Sequence, residues 1–284
     1  MMNKIDIINK VSDVLVEAGS TFRQDQKESY VSAINQEKAL NPKWVLENVL
    51  LNAEVAQKNR SPLCDDTGIP HLFLEIGRNQ SISSELLDAI NSGIAKGLQI
   101  LPGRPMAVKG DDVERIEQSL GLYDDPSMLV PAPIIIKQIE EDVLRLTVLM
   151  LGGGPAIRGI TKSIFHKHDI NVVIDEIVDR ATDAVSKLGC SPCTLAVGVG
   201  RSQYEATSMM MEAMVYGDYN KQNDIEKTIT AKVNQSNIGA LGLGGSTSVL
   251  ATFLKVGQQR ASGVRVVAIR PCCCFEPRRA SVVL

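Results

Sequence analysis

The sequence predicts a mixed α/β protein, on three observations. The opening third carries apolar residues at helical spacing, the later parts hold short aliphatic runs bounded by Gly, Pro and Asp, and a strongly amphipathic helix lies between those runs. Ile5, Ile8, Val11 and Leu15 recur every three or four residues, and Trp44, Val45, Val49 and Leu50 follow Pro42, so both stripes read as core-facing helix faces. Residues 61–68 form a polar loop, and residues 71–76, closed by Gly77, read as a buried strand. Residues 84–98 are helical. Residues 101–131, rich in Pro, Gly and Asp without a clear period, read as a long loop, a kind of segment that is usually functional or disordered. Residues 134–139 and 143–151 are two β-runs joined by Glu140-Glu141-Asp142, and the backbone then turns at Gly152-Gly153-Gly154. Residues 172–188 carry one apolar helix face with Gly189 placed as its C-cap. Residues 194–199 and 264–269 read as strands, and residues 203–216 and 225–233 as helices. No internal repeat, low-complexity tract or linker interrupts the chain, so residues 1–284 are read as a single domain.

The 284 residues are 44% hydrophobic, 22% charged and 4% aromatic, enough to bury a sizeable core without disulfide or metal staples. That composition excludes a disordered chain and a collagen-like fibre. With 33 acidic against 30 basic side chains and a formal net charge of -3, the chain lacks the basic footprint that a nucleic-acid partner requires. Charges interrupt the apolar residues of the N-terminal stretch, so it is not a signal peptide, and no window approaches a membrane span of about 20 apolar residues. The chain is read as cytoplasmic. Its six cysteines then act as thiols, and they fall at three sites: Cys64, Cys190 with Cys193, and Cys272-Cys273-Cys274.

Thiolates on separated loops suit zinc or an iron–sulfur cluster, although only Cys190-Ser191-Pro192-Cys193 has a local metal-ligand spacing. The competing reading of each cysteine is a small core hydrophobe. Asp65 and Asp66 directly follow Cys64 and read either as acid/base groups or as solvated turn residues. The glycine-rich stretch 238–248 either offers N–H groups to an anion or packs tightly between elements. It is neither a Walker A nor a Rossmann fingerprint, so no nucleotide is indicated. His71 is read as structural, His166 and His168 as surface residues, and Met209, Met210, Met211 and Met214 as core filling.

Taken together, Pro62-Leu63-Cys64-Asp65-Asp66-Thr67-Gly68, Gly152-Gly153-Gly154, Leu188-Gly189-Cys190-Ser191-Pro192, the 238–247 glycine-rich run and Cys274-Phe275-Glu276-Pro277-Arg278-Arg279 resemble the class I fumarate hydratase family, specifically its α subunit or N-terminal domain. L-tartrate dehydratase α subunits share these blocks. The resemblance runs in matching order from Val45 to Leu284. It implies a [4Fe-4S] cluster on converging loops, held by Cys64, Cys190 and Cys274, with one iron open as Lewis acid. Registering a Cys-x-x-x-Arg segment on Arg278 selects Cys274, whereas counting forward from Ile269-Arg270-Pro271 selects Cys273. It further implies substrate contacts from Asp65, Asp66, Arg104 and Gly153, with Asp66 catalytic; the Arg104 fork suits a carboxylate. The implied reaction is reversible hydration of a small dicarboxylate, fumarate/L-malate first and tartrate or a related hydroxy-dicarboxylate as the alternative.

Three positions depart from the family pattern. Asp65 replaces a Gln, which sets a negative charge before a dianionic substrate unless it is protonated or turned away. Arg260 stands where a histidine is usual, and Pro155-Ala156-Ile157-Arg158 follows the triple glycine in place of a Ser/Pro-Glu-Asn run. The chain ends where a single-chain member continues into the domain that supplies the catalytic base, so the resemblance implies a β-subunit partner and inactivity alone. Two other readings compete: a zinc-stabilised assembly protein using Cys190, Cys193 and two terminal cysteines, and a degenerate member keeping its cluster for sensing.

Overall fold

The computed structural model describes residues 3–284; Met1 and Met2, which open the stretch read as lacking a signal segment, lie outside the described residues. In chain order the elements are α1 (Lys4–Ser20), α2 (Gln24–Gln36), α3 (Leu40–Asn59), β1 (Ile69–Ile76), α4 (Ser84–Ile100), α5 (Asp112–Glu117), β2 (Ile135–Gln138), β3 (Leu144–Leu151), α6 (Gly153–Ala156), β4 (Ile160–Phe165), α7 (Ile170–Ser186), β5 (Cys193–Gly200), α8 (Gln203–Tyr216), α9 (Asp224–Asn234), β6 (Val249–Val256), β7 (Val264–Cys272) and β8 (Arg278–Val283). The fold is mixed α/β, as the sequence predicts, with two four-stranded mixed sheets and packed helices. It divides into two compact units, one of residues 1–21, 53–152 and 278–284, the other of residues 22–52 and 153–277. Among the described residues, no helix is long and apolar enough to cross a membrane.

In the first unit the strand order is β2-β1-β3-β8, with β1 parallel to β2 and antiparallel to β3. The two β-runs around Glu140-Glu141-Asp142 therefore do not pair with each other, because β1 lies between them. Val11, Leu15, Ile90, Ile94, Leu146 and Val148 form the centre of a core in which α1 and α4 cover one sheet face. The predicted α1 stripe holds only in part, since Ile5 is exposed while Val14 and Val16 are buried. The long loop 101–131 is corrected: it contains α5, started by a capping box of Asp111 and Glu114, and a 3-10 turn at Pro126–Met128.

In the second unit the order is β4-β7-β5-β6, with β5 parallel to β6 and antiparallel to β7. Ile174, Ile177, Leu195, Val197, Ile229 and Val267 pack α7 and α9 onto this sheet. The sequence reading omitted β4, β6 and β8. It also placed Trp44 on a core face, yet Trp44 is 63% exposed, while Val45 and Leu46 turn inward. Helix α7 closes at Lys187 rather than Gly189, which instead takes φ +80° in the turn that follows.

Candidate active site

Within the first unit, Cys64, Asp65 and Asp66 sit on the turn before β1, and this turn is held by main-chain and buried side-chain bonds. Leu63 N–H donates to Gly19 O at 3.0 Å, and Thr67 N–H donates to Asp65 O at 3.0 Å. Arg278, only 1% exposed, donates from Nη1 to Asp66 O at 2.8 Å and from Nε to Met150 O at 3.0 Å, fastening the turn to β3. Gly103 lies so close to this turn that a Cβ there would fall 2.2 Å from Thr67 Oγ1, so only glycine permits the approach. That approach brings Arg104 Nη1 to 3.9 Å from Asp65 Oδ2, with both side chains open to solvent.

The Cys64 thiol donates to Asp65 Oδ1 at 3.3 Å. This bond, the Asp66 N–H and the nearby Arg104 charge hold the Asp65 carboxyl below its usual range. Asp65 Oδ2 thus faces Arg104 across 3.9 Å from an open, solvated position. Asp66 is half-buried and receives Arg278 on its carbonyl oxygen.

Within the second unit, Cys190 and Cys274 come together through main chain: Cys274 N–H donates to Cys190 O at 2.9 Å. Fully buried Tyr30, on α2, donates its phenol hydrogen to Cys274 O at 2.5 Å and stacks on Phe22 with centroids 5.5 Å apart. Burial, with Cys274 beside it, pushes the Tyr30 phenol well up, so it remains a protonated donor. The six cysteines are thiols that sort by environment. Cys193 is fully buried on β5 in the core, and Cys272 is fully buried with its thiol on Met214 Sδ at 3.7 Å. Burial pushes both thiols up, which suits core hydrophobes. Cys64, Cys190 and Cys274 lie on turns, with Cys190 exposed, Cys64 half-buried and Cys274 buried.

The glycine-rich segment is packed. Gly239 meets Gly244 in a parallel bridge at φ +70°, where a Cβ would fall 1.4 Å from Gly244 O. Several of its N–H groups are engaged internally: Gly239 donates to Ser248 Oγ, Leu241 to Ser191 O and Gly244 to Ile238 O. Ser191 Oγ donates to Gly239 O at 2.6 Å, so the segment braces the turn that carries Cys190. Glu37 Oε2 accepts from Ser246 N–H at 2.7 Å and from Ser246 Oγ at 3.0 Å, anchoring the other end. Gly153 is exposed at the first position of α6.

Two smaller expectations are corrected or refined. His166 is buried rather than on the surface, with Nε2 at 2.9 Å from Ser262 O and Nδ1 accepting from His168 N–H at 3.0 Å, because β4 carries it against the 257–263 loop. Met211 and Met214 are buried as core filling, whereas Met209 and Met210 are only partly covered. A cavity of about 320 Å³ between α7, α9 and the sheet is lined by Ile170, Val173, Ile177 and Leu254, with His168 and Arg265 also on its wall. None of the predicted site residues lines it. Sequence reasoning missed Tyr30, Glu37 and Arg278 as organisers of the turns. Only Arg278 left a signal, its spacing from Cys274; Tyr30 and Glu37 act across more than 200 residues of chain.

Comparison with known proteins decides the lineage of these turns. The family model described as fumarate hydratase (fumerase) matches residues 8–283. The chain belongs to that family. This fumarase-type family is one of iron–sulfur hydro-lyases, which bears out the resemblance read from the cysteine-bearing blocks. The chain is 26% identical over 286 residues to the putative L(+)-tartrate dehydratase subunit alpha of Methanocaldococcus jannaschii, covering 95% of this chain and 96% of that protein. It is 21% identical over 294 residues to L(+)-tartrate dehydratase subunit alpha of Escherichia coli (strain K12), covering 99% and 93%. It is 24% identical over 261 residues to the putative class I fumarate hydratase of Geobacillus stearothermophilus, covering 86% of this chain and 48% of that protein.

Proposed function

We propose that residues 1–284 form one α-type domain, the α subunit of a [4Fe-4S]-dependent hydro-lyase acting on a small hydroxy-dicarboxylate of the tartrate class. The observation that carries the substrate reading is the Asp65 carboxylate set beside Arg104, Oδ2 at 3.9 Å from Nη1. A carboxylate accepts hydrogen bonds and cannot donate them. It therefore suits a substrate hydroxyl and opposes a second substrate carboxylate, whereas the Arg104 fork pairs with a carboxylate. Tartrate carries two hydroxyls, L-malate one and fumarate none. The near full-length match to two proteins named tartrate dehydratase subunit alpha supports the same order. Fumarate/L-malate interconversion is the second reading, favoured by the class I fumarate hydratase match.

Three thiols suit an iron–sulfur cluster in their donor chemistry. Cys64, Cys190 and Cys274 are thiols on turns, each braced by main-chain bonds of the turn that carries it, and they would serve as its thiolates. When bound, such a cluster supplies a Lewis-acidic iron that assists departure of hydroxide. The chain's own residues hold the substrate: Arg104 pairs with one carboxylate, Asp65 receives a hydroxyl, and the Gly153 backbone contributes contact at α6. Asp66 serves as the acid/base group, its backbone position set by Arg278. The names of the relatives as alpha subunits support a β subunit that completes the active site and supplies the remaining base.

The test is anaerobic reconstitution with iron and sulfide, followed by assay with a co-expressed β chain on L(+)-tartrate, L-malate and fumarate. The expected result is about four irons per chain and a higher kcat/KM on tartrate, with activity absent from the lone chain. Turnover of malate and fumarate without tartrate would move the assignment to the second reading. A reconstituted pair inert on all three substrates would remove the hydro-lyase reading.

A further inference from the structure

The segment 107–123 leaves the first unit as a self-contained arm. Its neck is closed by Lys109 N–H to Gly121 O at 3.0 Å, Tyr123 N–H to Ala107 O at 2.9 Å and a Val108–Leu122 antiparallel bridge. At its tip Asp111 caps α5, accepting from Val113 N–H and Glu114 N–H, while Glu114 returns a bond to Asp111 N–H. These bonds are local, and α5 buries no residue at all. The arm nevertheless presents Val113, Ile116 and Leu120 at 61%, 86% and 54% exposure. Val113 and Ile116 lie one turn apart on α5, and Leu120 follows in the turn after the left-handed Gln118. One exposed aliphatic side chain needs no explanation, whereas three within eight residues, on a segment without a core of its own, have the character of a contact surface.

Charge narrows the occupant. Asp111, Asp112, Glu114 and Glu117 flank these three, against Lys109 and Arg115. Both cations are engaged within the arm, Lys109 over the Tyr123 ring at 5.7 Å and Arg115 with Asp112. A second copy of this chain would set four acidic groups against four, whereas an apolar groove rimmed by Lys and Arg would match both features. Position narrows it further, because the arm begins three residues after Arg104. Any subunit that completes a site at Arg104 must approach this edge of the unit.

We infer that this arm is the hook by which the chain engages its complementary β subunit, through an apolar groove with a basic rim on that partner. The inference rests on the α-subunit reading above. Its test uses the β chain, purified and immobilised, with full-length wild type and an Ile116→Asp/Leu120→Asp variant, together with thermal unfolding and light scattering of each lone chain. Wild type binds, and the variant binds at least roughly 100-fold more weakly with unchanged melting, as expected when two central apolar anchors are lost. Should the double variant melt early, Ile116→Gln serves in its place, with about a tenfold loss expected. Equal binding by wild type and a folded variant overturns the hook and leaves the α-subunit reading intact. Wild type that fails to bind any β chain overturns that reading and the hook with it. A wild-type homodimer that the variant abolishes makes the occupant a second copy and overturns the assignment to β.

Discussion

Replacing Arg278 with Met tests how the Asp65–Asp66 turn is held. The guanidinium is 1% exposed and donates to Asp66 O at 2.8 Å and Met150 O at 3.0 Å. Methionine keeps the stem's bulk and removes both donors, leaving two carbonyl oxygens with a bond fewer in a buried place. Each bond from a charged donor contributes roughly 1.5–3 kcal/mol, so the gross loss is about 3–6 kcal/mol. Removing a buried charge recovers part of this, and a net loss of about 3 kcal/mol is expected. For a chain of this size that corresponds to a fall in Tm of roughly 6 °C. Arg278→Lys keeps the charge without the fork and should fall between the two. Calorimetry gives the magnitude, and hydrogen exchange at residues 64–68 gives the place, with faster exchange there expected in the variant. An unchanged Tm together with unchanged exchange at 64–68 would refute the bracing role.

Two further outcomes are expected. In a pulse of iodoacetamide at pH 8 read by mass spectrometry, exposed Cys190 is alkylated in the folded chain, while Cys193 and Cys272, whose thiols burial pushes up, react only after unfolding; Cys193→Ala keeps its iron on reconstitution and Cys190→Ser loses it. Burial raises the Glu37 carboxyl, but bonds from Ala39 and Ser246 outweigh it and set the group below 4.5, so its contribution is full above pH 4.5 and is lost as pH falls through the lower folded value; urea unfolding between pH 6 and 3 should lose stability more steeply in wild type than in Glu37→Gln, and equal slopes would contradict the anchor.

Long periodic elements were legible because their periodicity is written locally. Helix α8 spans Gln203–Tyr216, the range read from sequence, and α4 and α9 differ from their expected ends by no more than two residues. Short strands failed where burial comes from distant partners. β8 has an exposed alternate face and pairs with β3 more than 120 residues away, so no local pattern announced it. Residues 101–131 looked structureless because their Pro and Gly content masked a six-residue helix whose signal is one capping box.

The sequence alone determined the mixed α/β class, the family and the three cysteine-bearing turns, because these reside in local periodicity and in short blocks whose residues are adjacent in the chain. Only the tertiary structure decided which thiols are buried, since Cys193 and Cys190 differ by environment and not by chemistry. It also decided that Asp65 sits beside Arg104, that the glycine-rich segment engages N–H groups in packing, and that Tyr30, Glu37 and Arg278 fix the turns. The physical reason is the same in each case. A buried donor, a neighbouring charge or a closed surface belongs to residues brought together by folding, and no spacing along the chain encodes it.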